Sequence, residues 1–486
     1  MKRIAIIGGG ISGLTAAYEL ELARKRGAPI DWYLYEASYR LGGVIETTRF
    51  ATPEGEFILE GGPDGWVSEK PWARELAIEL GLESELIYSN DATRKTYILI
   101  NGNLQPIPDC MRLMVPEDLS ALEDSRLFSN SAKKAYADEV TRAEDLTVNA
   151  PDHDESVADF VRRHFGDEVL DTLAAPLLSG VFGGDVHKLS VRAVMPQFVA
   201  MEREHGSLIA ALQTRTAQHS HSVPIFTSLR RGLASLAEAL VAQLPTERVT
   251  FGREAVALEP HANEWSVLTS AFKGLYDDQS DWTPTRFDAV LVCVPAREAG
   301  ALLHFLPHHW TKPIGDGLIP SHASSAILVA FAWTEVAARS FTIPSGFGFL
   351  VPDGSVNEEQ LLAGTFVDQK YPSRAPEGAR VIRAFFGRKS AEALASQSDE
   401  VIAVCALEEL RQILGPIPEP TFQVIRRWPR SLPQYEVGHL ERIERLEAMV
   451  AEIPGLHLLG NSYRGVGIPD LIRDARATAR KILQGP

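Results

Sequence analysis

The chain has 486 residues, 45% of them apolar and 23% charged, a composition that can bury a sizeable core and excludes collagenous, coiled-coil and disordered classes. Acidic residues outnumber basic ones by 64 to 48, a formal charge of -16, the wrong sign for a protein that binds by neutralising nucleic-acid phosphates. The 3 cysteines, Cys110, Cys293 and Cys405, are odd in number and lack CxxC spacing, so neither a disulfide framework nor a thiolate metal site is expected and a reducing cytoplasm fits.

Met1-Lys2-Arg3 leads directly into a glycine-broken apolar run, so no signal peptide is read. The apolar stretch Ala323 to Trp333 is well short of the roughly 18 to 20 residues that cross a bilayer.

In chain order, Arg3 to Ile7 reads as a strand, Gly8 to Gly13 as a turn, and Leu14, Ala17, Tyr18 and Leu22 as one face of a helix. The strand Ile30 to Tyr35 completes a βαβ unit. Residues 116 to 159 turn polar and acidic and read as a mostly helical insertion. Helical signals continue from Val157 to about Arg203, broken by the loop Gly180 to Asp185. Val249 to Leu258, Trp265 to Thr269 and Phe287 to Val294 read as strands, the last stopped by Pro295. Ala326 to Phe331, Phe347 to Val351 and Val381 to Phe386 predict an antiparallel sheet. Leu456 to Leu459 followed by Gly460 and Gly465 to Asp470 returns to strand, glycine turn and helix.

The chemistry lies in the first turn. Gly8, Gly10 and Gly13 form GxGxxG between a strand and a helix, with Glu36 ending the second strand at the spacing of a ribose-binding acid. The first glycine permits the turn, the second lets backbone approach a pyrophosphate, and the third lets helix and strand pack. Arg40-Leu41-Gly42-Gly43 adds a cation and a flexible pair suited to an extended dinucleotide. Gly-x-Ser-x-Gly between strand and helix is missing, so triad hydrolysis has no support. His304, His308 and His309 lack nearby carboxylates and read as surface histidines rather than a metal site.

The Glu36, Arg40, Gly42-Gly43 pattern resembles the amine oxidase-like flavoprotein superfamily. With Glu60 to Gly65, Leu178 to Asp185, Met201 to Leu208, Pro433-Gln434-Tyr435 and Gly465 to Asp470, the chain resembles the protoporphyrinogen and coproporphyrinogen oxidase family over nearly its whole length. The resemblance implies an α/β fold (α+β overall) in three parts. These are a discontinuous Rossmann-like FAD-binding domain (1–66, 225–297 and 428–486), a mixed-sheet substrate domain (67–115 and 298–427), and a helical insertion domain (116–224) that in some members faces a membrane.

Carried over by motif, FAD contacts fall on Gly8, Gly9, Gly10, Ile11, Ser12, Gly13, Glu36, Ala37, Arg40, Gly43 and Val44. They continue on Gly62, Pro63, Asp64, Gly65, Val256 beside the adenine, Trp428 near the flavin, Gly460, Val466, Gly467 and Ile468. The helix opening after Gly467 would aim its amide dipole at the reduced flavin. Asn461 stands where many such proteins have Asp. The resemblance implies that the flavin takes hydride from the porphyrinogen, so no catalytic side chain is named, and that oxygen ends each of three rounds with hydrogen peroxide as product.

For substrate, the resemblance points to Lys70, Thr96, Gly183 and Phe349. Plant and animal protoporphyrinogen oxidases carry an arginine where Thr96 stands, ahead of Asn101-Gly102-Asn103-Leu104. Lys70 matches a lysine of the Gram-positive branch, with Arg94 and Lys95 close in sequence. A substrate with four propionates rather than two suits a wider set of cations, which favours coproporphyrinogen III over protoporphyrinogen IX. The implied partners are the porphyrinogen, oxygen, the next heme-pathway enzyme in transient contact, and a membrane surface touched peripherally from the cytoplasm. Another amine oxidase-like flavin oxidase, and a flavoprotein that carries porphyrin without oxidising it, are the competing readings.

Overall fold

The structure is a computed structural model that describes all residues except 217–223, 263, 272–281, 319–321, 353–359 and 485–486. The side chains at 215, 216, 308 and 313 also lie outside the description, His308 among them.

The chain opens with β1 (Lys2–Ile7), α1 (Ile11–Lys25) and β2 (Ile30–Tyr35). It returns to the same sheet with β3 (Val249–Thr250), β4 (Ala289–Val292) and β5 (Leu456–Leu458), and closes with α2 (Ile468–Gln484). The sheet is parallel throughout, in the order β3-β2-β1-β4-β5. Side chains alternate along β1, so Ile4 and Ile6 face one layer and Ala5 and Ile7 the other, none more than 3% exposed. Burial on both faces is why the strand reads as an unbroken apolar run. Leu14 and Leu20 of α1 and Ile472 and Ala475 of α2 pack on the Ile4 side. The antiparallel strands Arg253–His261, Glu264–Ala271 and Thr283–Phe287 cover the other with Leu258, Trp265 and Phe287.

Two strands predicted as single runs are broken. Val249 to Leu258 splits at Phe251-Gly252, because Gly252 takes φ +62° and turns the chain. Phe287 ends the antiparallel layer and Ala289 starts β4, so the apolar run serves two sheets.

The second sheet has seven strands, in the order Phe422–Pro433, Ala323–Trp333, Arg380–Gly387, Ala363–Phe366, Gly348–Leu350, Thr96–Ile100, Asn103–Pro106. It is mixed, since Gly348–Leu350 pairs in parallel with Thr96–Ile100 while the other neighbours are antiparallel. One face packs on the helix Asp399–Leu414 through Val329, Phe349, Ala384 and Ile425. The opposite face carries Leu328, Ala330 and Val424 toward Phe57 and Leu59.

The insertion is helical from Asn130 to Thr216. Ser129, Ser156 and Ser190 start helices by accepting backbone N–H groups with their hydroxyls. The predicted loop at Gly180 begins later: the helix Ala175–Phe182 runs through Gly180-Val181-Phe182 and ends where Gly183 takes φ +63°.

Packing also crosses the expected domain boundaries at three places. Ala73, Leu76 and Ala77, read with the substrate domain, are buried in the core under α2. Leu302, Ile314 and Leu318 likewise pack with Val290 and Val292 of β4, so this layer extends past residue 297. The strand Phe422–Pro433, Trp428 included, belongs entirely to the seven-stranded sheet.

Candidate active site

The turn after β1 is cramped by design. A methyl group on Gly8, which has φ +103°, would lie 2.7 Å from the Cys293 carbonyl oxygen, and one on Gly13 would lie 2.0 Å from the Gly8 carbonyl oxygen. Around Gly10 the space is open except for Gly43 Cα at 4.0 Å. The glycines that fold the turn are therefore separate from the one that leaves it approachable. Ile11 and Ser12 are buried behind it in the first turn of α1, which carries no acidic residue to oppose an anion.

Glu36 accepts the Gly9 amide at 2.7 Å on Oε2 and the Ser38 amide at 2.9 Å on Oε1. Each oxygen keeps a second lone-pair direction for a ribose hydroxyl. Ala37 follows, partly buried. Arg40 holds the next turn from inside, donating to the carbonyls of Leu41 at 3.1 Å and Ile45 at 2.9 Å and to that of Gly43. That brings Gly42 into a bridge with Gly10 and leaves Val44 41% exposed at the rim. Val256, expected beside the adenine, sits at a β-bulge between Ala255 and Ala257, which takes it out of the ladder register.

Gly62 to Gly65 lies against this turn. A methyl on Gly62 would fall 1.8 Å from the Val44 carbonyl oxygen, and one on Gly65 would fall 2.4 Å from the Tyr371 hydroxyl. Trp428 donates from Nε1 to the Gly61 carbonyl at 2.6 Å. Pro63 and Asp64 are partly buried, and Asp64 pairs with Lys370 at 3.1 Å and Arg383 at 3.2 Å. Burial alone would raise the Asp64 carboxyl, but the Lys370 and Arg383 cations outweigh it and hold it at about 2.

The second glycine turn follows β5. Gly460 has φ +137°, and Asn461 donates to the Ser431 carbonyl at 3.1 Å while its own carbonyl accepts the Tyr435 hydroxyl at 2.6 Å. Aspartate at 461 could not make the first bond, which accounts for the departure from the usual residue. Val466 is 40% exposed, Gly467 partly buried, and Ile468 buried at the start of α2. Asp470 stands in the first turn of α2, where it would counter the helix dipole. Lys70, 2.6 Å away, and Arg473, 3.3 Å away, balance it. Lys70 thus has a carboxylate partner and ties the segment after Trp66 to the second turn.

On the sheet, Thr96, Gly348, Thr365 and Arg383 stand in register and share a face. Ile98 and Leu350 continue that face against the helical domain, where Leu350 meets Gly180. Phe349, expected among the substrate residues, points the other way: it is 1% exposed and packs against Phe366 in the core. The two-residue period of a strand places Leu350, not Phe349, on the side of Gly183. Gly183 lies against Leu432, and Gln434 donates to the Phe182 carbonyl at 3.0 Å, so Pro433-Gln434-Tyr435 joins this loop to the Asn461 turn.

Lys370, Arg374, Tyr371 and His439 were not legible in advance, because a buried cation or histidine carries no local mark. Arg383 did carry one, standing inside the apolar run Val381 to Phe386. Among the described residues no group of three or more His, Cys, Asp or Glu could hold a metal, and His304 and His309 are exposed. None of the cysteines is in a disulfide, and burial pushes the Cys293 thiol up to about 12. Among the described residues, no helix is long and apolar enough to cross a membrane.

Comparison with known proteins agrees with this geometry. Coproporphyrinogen III oxidase of Bacillus subtilis (strain 168) is 32% identical over 490 residues, covering 99% of this chain and 98% of the relative. Protoporphyrinogen oxidase 1, chloroplastic, of Arabidopsis thaliana is 27% identical over 498 residues, covering 98% and 87%. The crystal structure of a candidate protoporphyrinogen oxidase from Exiguobacterium sp. 255-15 superposes with a TM-score of 0.80 at 29% identity, covering 99% of both chains. Residues 11–483 match the family described as flavin containing amine oxidoreductase, and the chain belongs to that family.

Proposed function

We propose that this protein is an FAD-dependent, oxygen-dependent oxidase that converts coproporphyrinogen III to coproporphyrin III in heme biosynthesis. The observation that carries the reading is the approach of two glycine turns, Gly8–Gly13 and Gly460–Gly467, on one parallel sheet, with the Thr96–Arg383 face of a second sheet beside them. The similarity to the Bacillus subtilis enzyme supports the choice of substrate.

When bound, FAD supplies the acceptor for a hydride, which no side chain of this chain could accept. The chain's own groups bind and orient. Gly8 to Gly13 and the α1 N-terminus hold the pyrophosphate, Glu36 and Ala37 the ribose, and Val256 the base. Gly43, Val44, Gly62 to Gly65 and Val466 to Ile468 flank the ring system. Thr96, Gly183 and Leu350 line the approach of the macrocycle, and Arg94, Lys95 and Lys70 offer cations to propionates near it. The overall change removes six electrons and six protons from the macrocycle, so three oxygen molecules leave as three hydrogen peroxide molecules. Peripheral membrane contact through residues 116–224 and handover to the next enzyme belong to this reading.

The test is to purify the protein, record its visible spectrum, and follow porphyrin fluorescence with coproporphyrinogen III and protoporphyrinogen IX separately in air. A yellow protein that turns over the first faster bears out the reading, and faster turnover of the second reverses the substrate choice. Flavin that is neither bleached by either substrate without air nor active in air leaves a porphyrin carrier.

A further inference from the structure

The cations around Gly61 to Gly65 outnumber the carboxylates that pair with them. Lys370, Arg374 and Arg383 have side chains 10%, 1% and 4% exposed, against 15% for Asp64 and 1% for Glu60. Arg374 bonds Glu60 at 2.8 Å and the Ser228 hydroxyl at 2.6 Å. Ser228 in turn donates to the Asp64 carbonyl at 2.6 Å, and Arg383 donates to the Gly62 carbonyl. Among the described residues, two carboxylates face three cations, one charge short.

The neighbouring pairs do not supply the missing charge. Glu46 is already shared by Arg426 and Arg40, itself an excess of cation. Asp368 is engaged by Arg380 and the Val381 amide. The Nε groups of Arg374 and Arg383 and the Tyr371 hydroxyl are buried without a hydrogen-bond partner. The low titration of Asp64 is what such a surplus does to a carboxylate within it.

A buried, uncompensated charge is costly and persists where something else balances it. Hydride transfer to a flavin leaves one negative charge on the ring system, and Gly62 to Gly65 is the segment assigned to it under the proposed function, on which this inference rests. We propose that Lys370, Arg374 and Arg383 are positioning residues whose surplus positive charge, held beneath Gly61 to Gly65, favours the anionic reduced flavin. They act through the field, without touching the substrate, as preorganised charge aimed at where charge develops.

The experiment measures the midpoint potential of the bound flavin and its affinity for sulfite, which adds to the oxidised ring and leaves it anionic. Arg383→Met and Lys370→Met should each lower the potential and weaken sulfite binding on the order of ten-fold. Asp64→Asn should shift both the opposite way, and Arg383→Lys and Lys370→Arg should stay near the wild type. If Arg383→Met loses its flavin, the Lys370→Met and Asp64→Asn pair decides. Flavin-loaded variants with unchanged potential and sulfite affinity, or cation and carboxylate variants that shift the same way, overturn the inference. A wild-type protein that takes up no FAD would instead overturn the proposed function itself.

Discussion

Replacing His164 with leucine should destabilise the helical domain by about 3 kcal/mol. The ring is fully buried, with Nδ1 3.0 Å from Glu139 Oε1 and Nε2 3.0 Å from Glu202 Oε1. Glu139 also accepts the Ser207 hydroxyl at 2.6 Å and the Leu208 amide at 2.7 Å, so it acts as an acceptor throughout. Burial raises the Glu202 carboxyl, but the hydrogen bonds from His164 and Arg163 outweigh it and leave it lowered. Both ring nitrogens of His164 thus face carboxylates, and the ring links the helices Asn130–Thr141, Val157–Phe165 and Pro196–His205. Stranding a buried charge costs about 3 to 5 kcal/mol, and the lower end applies because Glu202 keeps Arg163 and Glu139 keeps its two neutral donors. Urea unfolding followed at 222 nm reads the loss directly. Adding Glu139→Gln to His164→Leu should restore much of it, since glutamine leaves no buried charge behind. A loss under about 1 kcal/mol, or a double variant no more stable than the single one, would refute the reasoning.

Other consequences are as direct. Gly62→Ala should abolish flavin loading, read as the ratio of visible to 280 nm absorbance, because its methyl would sit 1.8 Å from the Val44 carbonyl oxygen. Asn461→Asp replaces the donor to Ser431 with a second acceptor and should cost about 1 to 3 kcal/mol in thermal or urea unfolding. Burial pushes the His439 imidazole down to about 4, where it stacks on Tyr435 with centroids 3.9 Å apart. A depressed histidine contributes stability above the unfolded value of 6.5 that is lost as pH falls from there toward about 4, so His439→Phe should flatten the acid slope over that window.

The glycine turns, the alternation of strand and helix at the two ends of the chain, and Glu36 at the end of the second strand were legible because they are local. GxGxxG works through contacts among residues a few positions apart, and the period of two or 3.6 is written in the order of side chains. Even the resemblance that named Gly62 to Gly65 and Pro433-Gln434-Tyr435 rests on such short stretches. What the order of residues could not say is which stretches meet. Lys70 and Asp470 stand 400 positions apart and pair at 2.6 Å, and Trp428 reaches Gly61 across 367. The face on which Phe349 lies depends on the register of Gly348–Leu350 with its neighbours, and a slip of one residue would turn it toward Gly183. Lys370 and Arg374 look like ordinary surface cations until the fold brings them under Gly61 to Gly65, and Arg383, marked only by its apolar run, gains its partners there too, because the cost of burying charge is set by the tertiary partners.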